Sequence, residues 1–177
     1  MGTKLSLAQK DEIKQRLMDM RNKVEFAEKA LSRQLEWISK SDAKIPVIFA
    51  INSAMLGYVI SLLPNFKSWT ICITSITLWV IILLSGSVAL LALAAFPRLK
   101  GPKSSLLFFG SIVKRDEVTY IREMRDITDN DLVEDLLKQT YRNSQIAAIK
   151  YSYIKWATIS TFISFPFWLI TLWFLYR

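Results

Sequence analysis

The strongest constraint on this chain is a long apolar stretch from Ile45 to Pro97, in which Lys67 is the only charged residue. A bilayer core is about 30 Å thick, and a helix needs roughly 20 apolar residues to cross it. Ile45–Leu63 supplies 19 such positions and Trp69–Pro97 supplies 29. The stretch therefore predicts two transmembrane helices. The few residues between them predict that the second helix returns antiparallel to the first.

A third apolar block ends the chain, because no charged residue occurs from Trp156 to Tyr176. Hydrophobic residues make up 52% of the sequence, which is more than an ordinary soluble domain contains. The sequence thus predicts an all-α membrane protein with three transmembrane helices and a helical cytosolic region. The predicted parts are a cytosolic amphipathic helix 1–44, transmembrane helix 45–63, transmembrane helix 69–97, a cytosolic helical module 98–155 and transmembrane helix 156–176.

The net charge of +8 is distributed by compartment. Residues 1–44 contain ten Lys and Arg, residues 98–155 contain eleven, and the other two are Lys67 and Arg177. Lys and Arg collect in the cytoplasmic loops of membrane proteins. Both polar regions are therefore predicted to be cytoplasmic, which includes the N-terminus. The positive charge indicates a topology and an affinity for lipid headgroups, and no nucleic-acid partner is predicted.

The N-terminal region has a helical stripe of apolar residues at steps of three and four. Its opposite face is charged, so the stripe is predicted to cover another helix. We favour the chain's own cytosolic helix as that partner, and the alternative is a subunit contact in an oligomer. The stripe consists of Ile13, Leu17, Met20, Val24, Ala27, Leu31, Leu35 and Ile38.

The approach to the first span contains Pro46, which suits the first turn of a helix, with Ser41 or Asp42 as the cap. The amphipathic helix is therefore predicted to end just before the bilayer. Asp42 and Lys44 are expected at headgroup level as snorkelling anchors, with an interfacial ion pair as the alternative.

The first span contains one amide side chain and a stripe of small residues. Asn52 needs a hydrogen-bond partner in hydrocarbon and is predicted to face the bundle or another subunit. Ser53, Gly57 and Ser61 recur every four residues, which predicts a groove that a second helix can approach closely.

The segment Leu106–Val113 is apolar but too short to span a bilayer, so a short strand and a wedge against the membrane both remain open. Helices are predicted from Arg115 and from Asp131. The acidic residues at the start of the second of these helices suit capping better than metal ligation. They are Asp129, Asp131, Glu134 and Asp135.

Little in the sequence supports catalysis, since there is one cysteine, no histidine and no glycine-rich phosphate loop. We therefore predict no enzyme, no metal site and no cofactor. The best candidates for binding a phosphate are Arg115, Arg122 and Arg125, because arginine can engage phosphate in bidentate fashion. A solvated helix face is the alternative for these three.

Several short motifs resemble a prokaryotic family, the Pycsar transmembrane effectors (PycTM). They are Trp37-Ile38, Ser41-Asp42-Ala43-Lys44, Asn52, Leu106-Leu107-Phe108-Phe109-Gly110, Gln139-Thr140-Tyr141 and Lys150-Tyr151, together with the order of the three spans.

The resemblance implies antiphage defence. A cognate pyrimidylate cyclase would supply cyclic CMP or cyclic UMP. The effector would bind it, impair the bacterial inner membrane as a homo-oligomer and cause abortive infection. The residues themselves leave another function open, a constitutive membrane scaffold that recruits a cytosolic partner through its N-terminal helix.

Overall fold

The computed structural model describes residues 7–62, 70–98 and 101–176. Those residues form helices without any strand, which confirms the predicted all-α class. Three of the helices are long and apolar enough to cross a membrane, so the chain is a membrane protein. The five helices are α1 (Leu7–Leu62), α2 (Ile71–Ala95), α3 (Phe109–Ile112), α4 (Glu117–Asp126) and α5 (Asp129–Tyr176).

Helix α1 continues through Pro46 without interruption, so the predicted end before the bilayer is wrong. The predicted caps have other partners. The Ser41 hydroxyl donates to the Ile38 carbonyl at 2.7 Å, and the Asp42 carboxylate pairs with Lys150. Proline removes one backbone donor, and helices tolerate this loss at membrane depth where neighbouring groups compensate. The apolar surroundings therefore favour continuing the helix over ending it.

The segment Leu106–Val113 forms neither a strand nor a span. It bends and then makes the single helical turn α3. Helix α4 begins two residues later than predicted, because the Asp116 carboxylate accepts from the Thr119 amide at 2.9 Å and caps it. This hydrogen bond lowers the pKa of Asp116.

Helix α5 starts at Asp129, two residues before the predicted start, and contains Pro166. The Asp131 amide donates to the Thr128 hydroxyl at 3.2 Å, and that hydroxyl donates to the Asp131 carboxylate. This reciprocal pair is a capping arrangement at the helix start. The described residues contain no group of His, Cys, Asp or Glu side chains placed to hold a metal.

The chain divides into two compact units. The polar unit consists of Met1–Glu36 and Arg98–Gln145, and the bundle unit consists of Trp37–Pro97 and Ile146–Arg177. In the polar unit, Ala27 is 1% exposed, whereas Leu17 and Leu35 of the same stripe are 63% and 51% exposed. The middle of the predicted stripe is therefore covered within the chain, whereas Leu17 and Leu35 on either side of it are exposed.

Side-chain contacts give the directions of the three helices in the bundle unit. Asp42 pairs with Lys150 and Asn52 bonds to Thr161, so α1 and α5 run parallel. The Ser87 hydroxyl donates to Ala157 and the Ser160 hydroxyl donates to Leu83, so α2 runs antiparallel to both. This is the predicted direction. The connection at 64–68, from which we predicted it, lies outside the described residues.

The centre of the bundle unit is an apolar cluster. It consists of Met55, Val59, Val80 and Leu84, and the last three are 0% exposed. Trp168 of α5 packs against this cluster, and its indole N–H donates to the Met55 carbonyl at 3.1 Å. Each of the three helices thus contributes to one core.

Next to this cluster, a polar layer joins all three helices. The Asn52 amide nitrogen donates to the Ser87 hydroxyl at 2.7 Å. The Thr161 hydroxyl lies 2.9 Å from the Asn52 oxygen and 3.0 Å from the Ser87 hydroxyl. Asn52 is fully buried, so it faces the bundle as predicted.

The close helix approach predicted at Ser53, Gly57 and Ser61 does not occur among the described residues. All three are exposed, and a Cβ added at Gly57 would meet no atom within 4 Å. The reason is geometric. Adjacent residues lie about 100° apart around a helix, so turning Asn52 inward turns this stripe outward.

The Asp42–Lys150 pair allows a test of the bundle's stability. The Lys150 side chain is 9% exposed and that of Asp42 is 46% exposed, so the two ends are not equivalent. We expect Asp42→Asn to cost about 2 kcal/mol, because it leaves a buried ammonium unpaired. We expect Lys150→Met to change stability by less than about 0.5 kcal/mol, because the remaining carboxylate reaches water.

The measurement is reversible unfolding in mixed detergent micelles, followed by circular dichroism. Equal costs for the two variants would show that Lys150 is hydrated and that the pair is an ordinary surface contact.

Candidate functional site

The polar unit contains an open cavity of about 560 Å³, which is within the size range of small-molecule sites. The segment from Lys103 to Leu106, helix α4 and the first turns of α5 form its walls. Its lining is polar and charged, with few apolar residues. The lining residues are Lys103, Ser104, Ser105, Leu106, Arg115, Arg122, Glu123, Asp126, Ile127, Asp131, Glu134, Asp135 and Lys138.

One wall is held by Ser105 and Asp135. The Ser105 hydroxyl donates to the Asp135 carboxylate at 2.9 Å, and the same carboxylate oxygen accepts from the Leu106 amide at 3.0 Å. The Ser105 oxygen also accepts from the Phe108 amide at 2.9 Å. Ser105 is 3% exposed, so these bonds are shielded from water. They attach the bend at 105–108 to helix α5.

The ring of Phe108 explains two glycines near this wall. A Cβ at Gly101 would lie 2.4 Å from that ring, and a Cβ at Gly110 would lie 2.7 Å from it. Real Cβ atoms do not approach so closely, so both positions need glycine for Phe108 to pack as it does. The motif Leu106–Gly110 is thus a packing unit of the cavity wall.

Arg115 is part of the wall, and most of its N–H groups donate to other residues of the wall. Its Nε donates to the Glu123 carboxylate at 2.8 Å, and its other nitrogens donate to the carbonyls of Ser104, Ser105 and Ser111. Guanidinium has five N–H groups, and four are used here. Arg115, predicted as a phosphate-binding candidate, lines the cavity, but it is a positioning residue with little capacity left for a ligand.

Ser104 has a φ of 64°, in the left-handed region that L residues rarely adopt. Its carbonyl accepts from the Arg115 guanidinium at 2.8 Å. The bond offsets part of the backbone strain, which amounts to about 1–2 kcal/mol. The Arg115 contacts therefore hold this side of the cavity in one conformation.

The other two predicted arginines separate. Arg122 lines the cavity and is exposed, whereas Arg125 does not line it. Among the described residues, no side-chain partner engages Arg122, and the same holds for Lys103. Lys138 pairs with Glu134 at 2.7 Å, and that pair raises the pKa of Lys138. The cations available to a ligand are therefore Arg122 and Lys103.

Most of the carboxylates in the cavity are also engaged. Glu123 pairs with Arg115, Asp135 accepts from Ser105, and Asp131 caps α5. Asp126 has no side-chain partner among the described residues. The cavity therefore offers two cations and one carboxylate that are free to bind a ligand.

A second cluster lies in the bundle unit, at the cytosolic side predicted from the charge distribution. The ring centroids of Trp37 and Tyr151 are 6.0 Å apart in an edge-to-face arrangement. The Lys44 ammonium lies 5.4 Å from the Tyr151 ring, and that of Lys40 lies 5.6 Å from the Trp37 ring. Lys44 is thus anchored on an aromatic ring. Asp42 forms an ion pair, which was the alternative prediction, and its partner is Lys150.

The sequence patterns gave no role to Lys103, Ser105 or Asp126. They marked Asp135 only as an acidic residue at a helix start, and Lys150 only as part of a short motif. Lys150 had a recognisable signal, because it follows Ala147 by three residues on the buried face of α5. Ser105 and Asp135 are 30 residues apart, and no spacing rule connects them. Lys103 and Asp126 are candidates for ligand binding because the other charged residues of the cavity, apart from Arg122, have side-chain partners. Among the described residues, these two have none.

We expect Ser105→Ala to destabilise the polar unit by about 1–3 kcal/mol, because it leaves the Phe108 amide without its acceptor and removes one of the donors to the Asp135 carboxylate. The matched control is Ser104→Ala. It removes an exposed hydroxyl one residue away and keeps the Cβ. Thermal unfolding and hydrogen exchange at the Phe108 amide measure both variants. Similar exchange rates in the two would contradict the role given to Ser105.

Comparison with known proteins places this architecture in a family. The family model for the Pycsar effector protein domain, PycTM, matches residues 26–176. The Pycsar effector protein GmPycTM of Gulbenkiania mobilis is 27% identical, over 78% of this chain and 88% of that protein. The Pycsar effector protein PtPycTM of Propioniciclava tarda is 25% identical, over 68% of this chain and 64% of that protein.

No solved structure matches the chain significantly. The family match covers most of the chain and agrees with the three spans and with the short motifs. The chain therefore belongs to the PycTM family of Pycsar effector proteins and is an effector of antiphage defence.

Proposed function

We propose that this effector binds cyclic CMP or cyclic UMP in the cavity of the polar unit. In response it impairs the bacterial inner membrane, so that the infected cell dies or stops growing. The observation that carries the proposal is the cavity itself. It has the volume of a small-molecule site and contains Lys103 and Arg122, two cations with no side-chain partner among the described residues.

The chemistry of the cavity suits a small monoanion. A cyclic nucleotide carries one phosphate charge, and charge-assisted hydrogen bonds from Arg122 and Lys103 would bind it. Asp126 would accept a hydrogen bond from the ribose hydroxyl or from the exocyclic amine of cytosine, which is a known preference of carboxylates. Arg115 would keep the wall in place without touching the nucleotide.

Helix α5 gives ligand binding a route to the membrane. Asp131, Glu134, Asp135 and Lys138 line the cavity, and the same helix supplies the third span. A ligand shifts an equilibrium only by its difference in affinity for the two states. The messenger would therefore bind more tightly to the arrangement of α5 in which the bundle is leaky.

The orientation of the protein in the membrane is part of the same proposal. Lys40 and Lys44 lie over aromatic rings at one end of the bundle unit, and Lys155 lies 5.9 Å from the Trp156 ring. Aromatic rings mark both interfaces of membrane proteins, and an excess of Lys and Arg marks the cytoplasmic one. The N-terminus and the cavity would then face the cytoplasm, where a cognate cyclase releases its product.

The alternative function is a constitutive scaffold that recruits a partner through α1. The exposed stripe residues Leu17 and Leu35 favour it, and they equally favour a homo-oligomer. Crosslinking of the purified protein in nanodiscs, with and without nucleotide, separates the two. Crosslinks between copies support the effector assembly. A single copy that captures one defined cytosolic protein without nucleotide supports the scaffold.

Substitution of the free cations tests the cavity directly. We expect Arg122→Gln and Lys103→Gln each to weaken nucleotide binding about tenfold or more, because a charge-assisted hydrogen bond contributes about 1.5–3 kcal/mol. The control is Arg125→Gln, which removes the same charge from the same helix but outside the cavity lining. Isothermal titration calorimetry with cyclic CMP, cyclic UMP and cyclic AMP gives the affinities. An equal loss in the Arg125 variant would move the site elsewhere.

Membrane damage is tested in proteoliposomes. We expect cyclic CMP or cyclic UMP to release protons from vesicles loaded at low pH, and cyclic AMP to have no effect at the same concentration. The Arg122→Gln variant should need about tenfold more nucleotide for the same rate, in step with its affinity. Release that is independent of nucleotide, or absent with both pyrimidines, would contradict the proposed activity.

A further inference from the structure

The interior of the bundle unit has polar layers at regular intervals. The first contains Asp42 and Lys150, and the second contains Asn52, Ser87 and Thr161. Asn52 follows Asp42 by ten residues, which corresponds to a rise of about 15 Å along a helix. The two layers are thus separated by about half the thickness of a bilayer core.

A third polar layer lies the same distance further on. Thr77 precedes Ser87 by ten residues, and Thr171 follows Thr161 by ten. Because α2 and α5 are antiparallel and Ser87 contacts Thr161, Thr77 and Thr171 lie at the same depth. Both are 1% exposed. Together the three layers span about 30 Å, the thickness of the hydrocarbon core.

Thr171 is the unusual member. The Thr77 hydroxyl donates to the Ile73 carbonyl of its own helix, which satisfies it. The Thr171 hydroxyl is buried and has no hydrogen-bond partner among the described residues. A buried hydroxyl without a partner costs free energy, and water is the usual partner for such a group.

The apolar cluster of Met55, Val59, Val80 and Leu84 separates the second layer from the third. Val59 and Val80 are 0% exposed, so water does not reach these side chains at this level of the bundle. Meanwhile Ile60, next to Val59, is 57% exposed on the outer surface. Apolar constrictions between polar segments are known to gate channels by excluding water.

We propose that the bundle interior is a route for protons, and that the apolar cluster is the barrier that keeps this route dry at rest. Water that enters a loosened bundle would hydrogen-bond to the three polar layers in turn and carry protons between them. The closed interior is too tightly packed for hydrated ions, which makes protons the expected charge carrier. This inference rests on the proposed membrane activity and specifies its path.

Polar substitution within the barrier provides the test. Threonine has nearly the shape of valine and adds a hydroxyl. We expect Val59→Thr and Val80→Thr to raise the proton flux of proteoliposomes about tenfold or more without any nucleotide. The matched control is Ile60→Thr, at the same depth on the outer surface, which should leave the flux unchanged. Adding Thr171→Val to Val59→Thr should reverse the increase, because it removes a polar step.

Proton flux is measured with entrapped pyranine, and potassium with valinomycin balances the charge. Entrapped carboxyfluorescein should stay inside in every variant, which distinguishes a narrow route from bilayer rupture. The inference is overturned if the two valine variants keep wild-type helicity and elution but do not leak. It is also overturned if Ile60→Thr leaks equally.

If the valine variants do not fold, a second measurement decides. It is the proton leak of Thr171→Val, in the otherwise wild-type protein, with nucleotide. A reduced proton leak supports the route, and an unchanged leak overturns it while the nucleotide response stands. Conversely, a Val59→Thr leak in a protein that ignores both pyrimidines would uphold the route and reject the proposed messenger.

Discussion

Hydrocarbon offers no partner to a polar group, and this constraint shapes the bundle unit. The Asn52 side-chain amide needs hydrogen-bond partners from other helices. It donates to the Ser87 hydroxyl and accepts from the Thr161 hydroxyl. That one layer sets the rotation of α1, α2 and α5 about their axes. It turns Asn52 inward and the small residues Ser53 and Gly57 outward. Hydrogen bonds between membrane helices are worth about 0.6–2 kcal/mol each, so their main effect here is to choose one packing over others.

In the polar unit, a bend between helices also has polar backbone groups that need hydrogen-bond partners. The bend at 105–108 exposes backbone amides that no helix satisfies, and the Ser105 hydroxyl and the Asp135 carboxylate accept them. The Arg115 guanidinium donates hydrogen bonds to the backbone carbonyls of Ser104 and Ser105. Because these groups saturate one another, the cavity wall is rigid, and the charges left over are those of Arg122, Lys103 and Asp126. The proposed ligand site thus consists of the groups that the fold itself does not use.

The sequence predicted what depends on periodicity and length. The three spans, the helical class and the burial of Asn52 follow from apolar run lengths and from the cost of an amide in lipid. The break at Pro46 was wrong, because the preference of proline for a helix start is weaker than the demand for continuous backbone hydrogen bonding at the membrane. The roles of Arg115 and Arg122 were inseparable in sequence. Only the contacts of Arg115 with three carbonyls show that it holds the wall.

If the effector is gated by a messenger as proposed, it must be harmless before that signal arrives, and the balance of charge in the cavity bears on this requirement. Engaged carboxylates such as Glu123 and Asp135 surround the two free cations, so the cavity attracts abundant cellular anions weakly. A monoanion must then gain affinity from directional bonds as well as from charge. Such bonds depend on the shape of the ligand, whereas net charge does not discriminate between anions. Under the proposed membrane activity, the same logic would hold in the bundle unit, where the apolar cluster separates the polar layers until the packing changes.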